Sequence, residues 1–139
     1  MSSTIENRIL HIKEIISDKN LDTLMVIVGE NRRYLSGFEG HDTQFDESSG
    51  ALFISKEGLI LATDSRYEEQ AQREAGHIYE IVCYKEGLAR QLPSILKELD
   101  TKKLGFESVR LSCLEYRKIS EELKSSGLEV EILETENIV

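Results

Sequence analysis

The sequence predicts an α/β domain: a mixed, mostly parallel sheet of about six strands with helices on both faces. Three observations carry that expectation. Stretches with helical spacing alternate with short, β-branched apolar runs along the chain. Two of those runs, 51–54 and 59–62, are separated by Ser55-Lys56-Glu57-Gly58 alone, which makes a hairpin and one antiparallel pair. The later strands are each separated by a helix, and a crossover helix leaves its flanking strands parallel.

The first helix is announced by Ser3-Thr4-Ile5-Glu6, which has capping-box spacing, and by Ile5, Ile9, Ile12 and Ile16, which recur on one face. Asp18, Lys19 and Asn20 end it. Residues 24–28, LMVIV, are continuously apolar with β-branched members, as a strand covered on both faces requires, and Gly29 closes that strand. The polar, glycine-punctuated stretch 31–50, NRRYLSGFEGHDTQFDESSG, reads as a loop. In the hairpin turn, Gly58 is expected at positive φ.

Ser65-Arg66-Tyr67-Glu68 repeats the capping-box spacing, Tyr67, Ala71 and Ala75 share a stripe, and Gly76 is placed to cap a second helix of about three turns. Residues 78–84 are a strand. Leu88, Leu92, Ile95, Leu96 and Leu99 mark a third helix, in which Pro93 sits in the first turn or at a bend. Residues 103–106 are a short strand. Ser112 and Glu115 then cap a fourth helix, with Leu111 and Tyr116 spaced as a hydrophobic staple, and after Gly127 residues 128–133 alternate as the last strand.

No repeat, linker or composition break divides the 139 residues, so one domain spanning 1–139 is expected. With 26 acids against 17 bases the formal charge is −9, which repels phosphate backbones and anionic headgroups and argues against nucleic-acid and membrane partners. The longest apolar runs fall far short of the roughly 20 residues that span a bilayer, and MSSTIENR lacks the apolar segment of a signal peptide, so a cytoplasmic location is expected. Cys83 and Cys113 show no CxxC or Cys/His ligand spacing and read as reduced, small core residues.

Tests for chemistry return little. Neither GxGxxG nor GxxxxGK[ST] follows a strand, and GxSxG is absent. An EF-hand counted from Asp42 needs glycine sixth and glutamate twelfth, where Glu47 and Phe53 stand. His11, His41 and His77 are dispersed, with no HxxxH spacing, so no metal site is expected in the chain, and His11 and His77 are expected to face solvent. Thr63-Asp64-Ser65-Arg66-Tyr67 leaves a strand and enters a helix; Asp64 or Ser65 suits a cap, and an Asp64–Arg66 ion pair is open to it. The residues alone give an α/β domain without a complete catalytic constellation.

Together, Asn31-Arg32-Arg33-Tyr34-Leu35-Ser36-Gly37-Phe38, the hairpin, and Leu61-Ala62-Thr63-Asp64-Ser65-Arg66-Tyr67 with Gln70-Ala71 resemble the signature of the N-terminal domain of the creatinase/prolidase/Xaa-Pro aminopeptidase family. The opening helix, and Leu104-Gly105-Phe106-Glu107 ahead of a helix carrying Tyr116, fit the same pattern, so the resemblance covers essentially the whole chain. It implies a ribonuclease-H-like topology placed ahead of a larger pita-bread catalytic domain, in which two Asp, one His and two Glu hold two divalent metal ions, manganese, cobalt or zinc. None of those ligand motifs can be placed here, so no catalytic residue, metal ligand or cofactor is assigned to this chain, which is expected to be inactive alone.

The function the resemblance implies is that of the non-catalytic N-terminal domain of a cytoplasmic Xaa-Pro metallopeptidase, a dipeptidase or aminopeptidase. Its partners are then its own C-terminal catalytic domain, a second copy of the protein in a homo-oligomer, and the peptide substrate of the parent, whose entrance on the neighbouring subunit it narrows. Arg33, Tyr34, Gly37, Phe38, Asp64, Arg66 and Tyr67 are the structural residues of the motifs, with Tyr34, Leu35 and Phe38 packing inward. His41 and Phe45, in the 39–50 loop, are the expected substrate-entrance residues: Phe45 is apolar in a polar loop, and an imidazole can bond a peptide carboxylate or carbonyl. A self-packed Phe45 and a solvated His41 are the plainer alternative. The alternative function is a stand-alone peptide- or protein-binding module of the same fold; a small hydrolase built on His41 is a third.

Overall fold

Six strands form one sheet in the order β4-β3-β2-β1-β5-β6 in a computed structural model that describes residues 4–40 and 50–139. The strands are β1 (Thr23–Val26), β2 (Gly50–Ser55), β3 (Leu59–Thr63), β4 (Glu80–Cys83), β5 (Lys103–Glu107) and β6 (Glu131–Thr135). The helices are α1 (Thr4–Asp18), α2 (Gly29–Ser36), α3 (Glu68–Ala75), α4 (Leu88–Glu98) and α5 (Cys113–Ser125). None of them is long and apolar enough to cross a membrane.

Neighbours β1·β5, β3·β4 and β5·β6 are parallel, whereas β2 runs antiparallel to both β1 and β3. The mixed, mostly parallel sheet is therefore as expected, with β2 the one reversed strand, but there are two antiparallel pairs where the hairpin alone implied one. Although a helix lies between β1 and β2, it does not carry the chain across to the opposite end of the sheet. The chain leaves β1, makes this helix and enters β2 at the same edge of the sheet, so β1 and β2 pair head to tail, Val26 opposite Leu52 and Thr23 opposite Ser55.

Side chains alternate between two cores, as strands covered on both sides require. Met25, Phe53, Ile60, Leu104 and Phe106 join Leu92, Ile95 and Leu96 of α4 and Ile119 and Leu123 of α5. On the opposite face Leu24, Val26, Leu52, Ile54 and Leu61 meet Ile9, Ile12 and Ile16 of α1, Leu35 of α2, and Ala71 and Ala75 of α3. Each of these core side chains would contribute about 1.5–3 kcal/mol of transfer free energy where fully buried and large.

Helix ends follow local chemistry. α1, α4 and α5 each finish with a left-handed residue, Asn20, Asp100 and Gly127, flanked by paired backbone bonds such as Leu128 N–H to Leu123 and Gly127 N–H to Lys124. Ser112 caps α5, its Oγ accepting the Glu115 amide at 3.1 Å as the sequence predicts. The ring of Tyr116 lies 5.6 Å from that of Phe106.

Several local expectations need correction. The expected loop after β1 begins with a helix, α2, because Gly29 starts that helix instead of merely closing the strand. Gly58 stays outside the left-handed region. α3 begins at Glu68, not at the Ser65 box, since the Asp64 turn occupies residues 64–67, and Gly76 caps α3 in right-handed α geometry. Pro93 lies in the second turn of α4. Cys113 is exposed at the start of α5 and Cys83 is half-buried, so neither is a core residue. Ser3 lies outside the described residues.

Candidate functional site

All the motif residues named from the sequence, where described, gather around α2, α3 and the ends of β1, β3 and β5. These strands run parallel, and their carboxyl ends share one edge of the sheet, where open α/β sheets bind ligands. α2 has no side-chain cap of its own at Val28. Glu107, at the end of β5, supplies one: its Oε1 accepts the amides of Ile27 at 2.6 Å and Val28 at 2.7 Å, and its Oε2 accepts from Asn31 Nδ2 at 2.5 Å. A carboxylate at a helix N-terminus also complements the helix dipole.

One turn on, Arg32 points into the protein and is fully buried. Its Nη1 donates to the carbonyl of Gly50 at 2.9 Å, its Nη2 to the carbonyl of Gly40 at 3.3 Å, and its guanidinium carbon lies 5.8 Å from the Phe38 ring centroid. Gly50 must be glycine because an added Cβ would stand 2.6 Å from the Ala62 carbonyl. A cleft of about 520 Å³ opens between the start of α2 and Glu39–Gly40.

The end of α2 is a turn built by SGF. Ser36 Oγ donates to the Arg32 carbonyl at 2.6 Å and accepts the Phe38 amide at 3.1 Å. Gly37 takes φ 79°, which favours a residue without Cβ, and its amide bonds the Arg33 carbonyl. Tyr79 closes the turn from behind, its hydroxyl donating to the Leu35 carbonyl at 2.8 Å, and burial pushes its pKa far above the usual phenol range. The chain beyond Phe38 is held by α3: Glu39 N–H donates to Glu74 Oε1 at 2.9 Å, and Gln70 Nε2 donates to the Glu39 carbonyl at 3.4 Å.

The two motif blocks meet through aromatic rings. Phe38 is buried and stands edge-on to Tyr67, with centroids 6.2 Å apart and planes at 80°. Tyr67 in turn lies 5.4 Å from the Arg66 guanidinium. Asp64 Oδ1 accepts the Arg66 amide at 2.9 Å, and its Oδ2 pairs with Arg66 Nη2 at 2.8 Å, so the ion pair allowed by the sequence forms. The Arg66 guanidinium holds the Asp64 carboxyl below its usual pKa, against the opposing effect of partial burial.

Not every expected residue sits as the sequence suggested. Leu35 and Phe38 pack inward, but Tyr34 is half exposed and lies under Arg8, whose guanidinium carbon is 4.0 Å from the ring centroid and whose Nη1 donates to the Tyr34 carbonyl. Arg33 is exposed; the buried arginine is Arg32, because the phase of α2 places positions 32, 35 and 36 on the inner face. His11 and His77 are exposed as expected, while His41 and Phe45 lie outside the described residues.

Arg32, Glu107, Ser36 and Tyr79 were not assigned these roles from sequence. The available signal was an arginine three and four positions before Leu35 and Ser36, the spacing of one helix face. Among the described residues no group of three or more His, Cys, Asp or Glu could hold a metal ion.

Comparison with known proteins finds similarity along most of the chain. The Creatinase/Prolidase N-terminal domain family matches residues 8–138. An Xaa-Pro dipeptidase from Bacillus anthracis superimposes with a TM-score of 0.81 at 28% identity, over 97% of this chain and 34% of that one. The N-terminal domain of the cytoplasmic peptidase PepQ from Mycobacterium tuberculosis gives a TM-score of 0.80 at 28% identity, over 95% of both chains. A probable Xaa-Pro aminopeptidase P from Pyrenophora teres is 25% identical over 150 residues, covering 96% of this chain. The chain spans 21% and 31% of the length of the two curated relatives it matches.

Proposed function

The chain belongs to the creatinase/prolidase N-terminal domain family, and on that premise we propose that it is the non-catalytic N-terminal domain of a cytoplasmic Xaa-Pro metallopeptidase. One observation carries this reading. The chain covers about the whole of a solved N-terminal domain, 95%, but only 34% of a solved Xaa-Pro dipeptidase. The remaining two-thirds of such an enzyme is where the chemistry belongs in this reading. Two divalent metal ions, manganese, cobalt or zinc, would be held there by residues outside this domain, and would supply activation of water and polarisation of the scissile carbonyl.

The part left to this domain is assembly with its own catalytic domain and with a second copy, and the shaping of the substrate entrance on the neighbouring subunit. The sheet edge that carries both motif blocks, with Gly40 and Gly50, is the surface for that task. His41 and Phe45 are its proposed substrate contacts, and Arg33, Tyr34, Gly37, Phe38, Asp64, Arg66 and Tyr67 the framework behind them.

The test is an assay of the pure 139-residue chain and of the intact gene product with an Xaa-Pro dipeptide and manganese. The chain alone is expected to show no turnover and the intact product to hydrolyse the dipeptide. Metal-dependent turnover by the isolated chain would refute the assignment of chemistry to another domain.

A further inference from the structure

The two faces of the sheet are covered unequally at its β5–β6 end. On the α4–α5 side that end is packed: Leu104 and Phe106 of β5 are buried with Ile119 and Leu123 of α5, and Ile132 of β6 lies against them. On the α1 side, among the described residues, every buried strand residue of the apolar core comes from β1, β2 or β3. A Cβ added at Gly105 would stand 2.8 Å from Leu21 Cδ1 and 3.5 Å from Leu24 Cδ1, so β5 turns a bare backbone to that face. Of the β6 residues that alternate onto it, Glu131, Leu133 and Thr135, only Leu133 is apolar, and it is half-buried.

The chain's own tail comes to this end of the sheet. Asn137 takes φ 54°, a left-handed turn that asparagine tolerates, and beyond it Ile138 and Val139 pack against the same core as Leu133 while staying half-buried. Beside them a cleft of about 340 Å³ opens among Lys19, Leu21, Leu133 and Ile138. Parallel strands such as β1, β5 and β6 occur with both faces covered, and this layer stops short.

We propose that the α1 side of the β5–β6 end is the seat of the polypeptide that immediately follows Val139 in the intact gene product. That segment lays an apolar face on Leu133, Leu21 and Ile138, completes the layer, and holds the domain against the catalytic part instead of tethering it loosely. The proposal rests on the reading under Proposed function, in which the chain covers 34% of an Xaa-Pro dipeptidase and the polypeptide continues. Val139 already lies on the core beside the cleft, so the next residues reach the seat without a connecting loop. A second copy would have to displace them and bring a formal charge of −9 against another −9.

The test is amide hydrogen exchange of the intact gene product in the parent, in Leu133→Lys and Leu133→Ala, and in Leu114→Lys, a control at an apolar side chain 54% exposed on α5. In the parent the first roughly ten amides after Val139 are expected to exchange at least about 100-fold slower than an unstructured chain. They should exchange about 10-fold faster in Leu133→Lys and about threefold faster in Leu133→Ala, with the amides of β1 within about twofold of the parent, and Leu114→Lys should leave them unchanged. Leu133→Ala adds no charge and guards against a Lys variant that fails to fold.

Exchange at the unstructured rate past Val139 in the parent overturns the proposal, because the connection is then a free tether. Protection that neither Leu133 variant reduces also overturns it, by placing the protecting contacts elsewhere, as does equal acceleration through β1, which would mean that Leu133 merely holds the fold. An intact product with the mass of residues 1–139 alone overturns the proposal together with the reading it rests on. A longer product that turns over no Xaa-Pro dipeptide refutes the peptidase reading alone, and the exchange result still decides the seat.

Discussion

The ring of Phe38 meets the ring of Tyr67 edge-on, at 6.2 Å between centroids and 80° between planes, and so joins two motifs that are far apart in the sequence. Phe38 is 1% exposed and also lies beside the Arg32 guanidinium. Phe38→Ala is therefore expected to destabilise the fold by about 3–5 kcal/mol, through lost transfer free energy and the cavity left behind. Adding Tyr67→Ala should reveal a coupling of about 0.5–1.5 kcal/mol in a double-mutant cycle measured by urea unfolding. A coupling of zero would mean that the rings are neighbours without an energetic link.

Glu107 offers a sharper contrast between two substitutions. Its carboxylate accepts two backbone amides and the Asn31 side chain while only 7% exposed. Glu107→Ala leaves those donors without that acceptor and is expected to cost about 3 kcal/mol or more, since bonds to a charged group contribute about 1.5–3 kcal/mol each. Glu107→Gln keeps an acceptor for the two amides, and an Asn31 amide flip lets the new NH₂ find an oxygen, so its cost should be well below that of alanine. Denaturant midpoints for the two variants check the order; equal losses would show that shape, not hydrogen bonding, is what α2 needs.

These two residues also show what the sequence could and could not reveal. Ile9, Ile12 and Ile16, or Leu92, Ile95 and Leu96, are legible because an apolar face repeats with the period of the helix and nothing else explains it. α2 has no such stripe. Its inner face is Arg32, Leu35 and Ser36, and its two polar groups are buried with backbone partners, Arg32 on the Gly40 and Gly50 carbonyls and Ser36 on the Arg32 carbonyl of its own helix. Arg32 and Arg33 are adjacent and chemically identical, and only the phase of the unrecognised helix decides which turns inward.

The second antiparallel pair was hidden as well, since a stretch 31–50 read as a loop does not say at which end of the sheet β2 begins. At the sheet edge, the motif residues Gly37, Phe38, Asp64, Arg66 and Tyr67 were named through the family resemblance; the Gly37 turn and the Asp64–Arg66 pair are local, whereas the Phe38–Tyr67 contact between the two motifs is not. Glu107 stood in the resemblance just past the expected strand 103–106, but its role needed the third dimension, because the amides it binds are about 80 positions away.

Asp64 and Arg66 allow a test by titration. Hydrogen bonding from the Arg66 guanidinium, and after it from the Arg66 amide, lowers the Asp64 pKa below 3.8. A carboxyl whose folded pKa is depressed stabilises the fold at pH values above its unfolded pKa, and the contribution fades as the pH falls through the folded value. The window is thus below about pH 4. Because the Arg66 side chain is 68% exposed, solvent screening keeps the pair's contribution at pH 7 to at most about 1 kcal/mol. Arg66→Ala should move the Asp64 titration, followed by carboxyl carbon NMR, back up towards the usual carboxylate range. An unmoved titration would place the cause in the backbone turn alone.

Tyr79 makes stability depend on alkaline pH. Burial raises its folded pKa well above the ordinary phenol value of about 10 while its hydroxyl bonds the Leu35 carbonyl. Above about pH 10 the unfolded chain loses the phenolic proton and the folded chain keeps it. The unfolded state then binds fewer protons, so stability falls as the pH rises. The slope from this one group approaches about 1.4 kcal/mol per pH unit once the unfolded phenol is fully ionised. Tyr79→Phe removes that term together with one buried hydrogen bond, so it should cost about 1–2 kcal/mol at pH 7 and flatten the decline of Tm between about pH 9.5 and pH 11. The convergence of the two curves is the diagnostic: parallel alkaline limbs for the parent and the Tyr79→Phe variant would show that the phenol titrates no differently in the folded and unfolded chains.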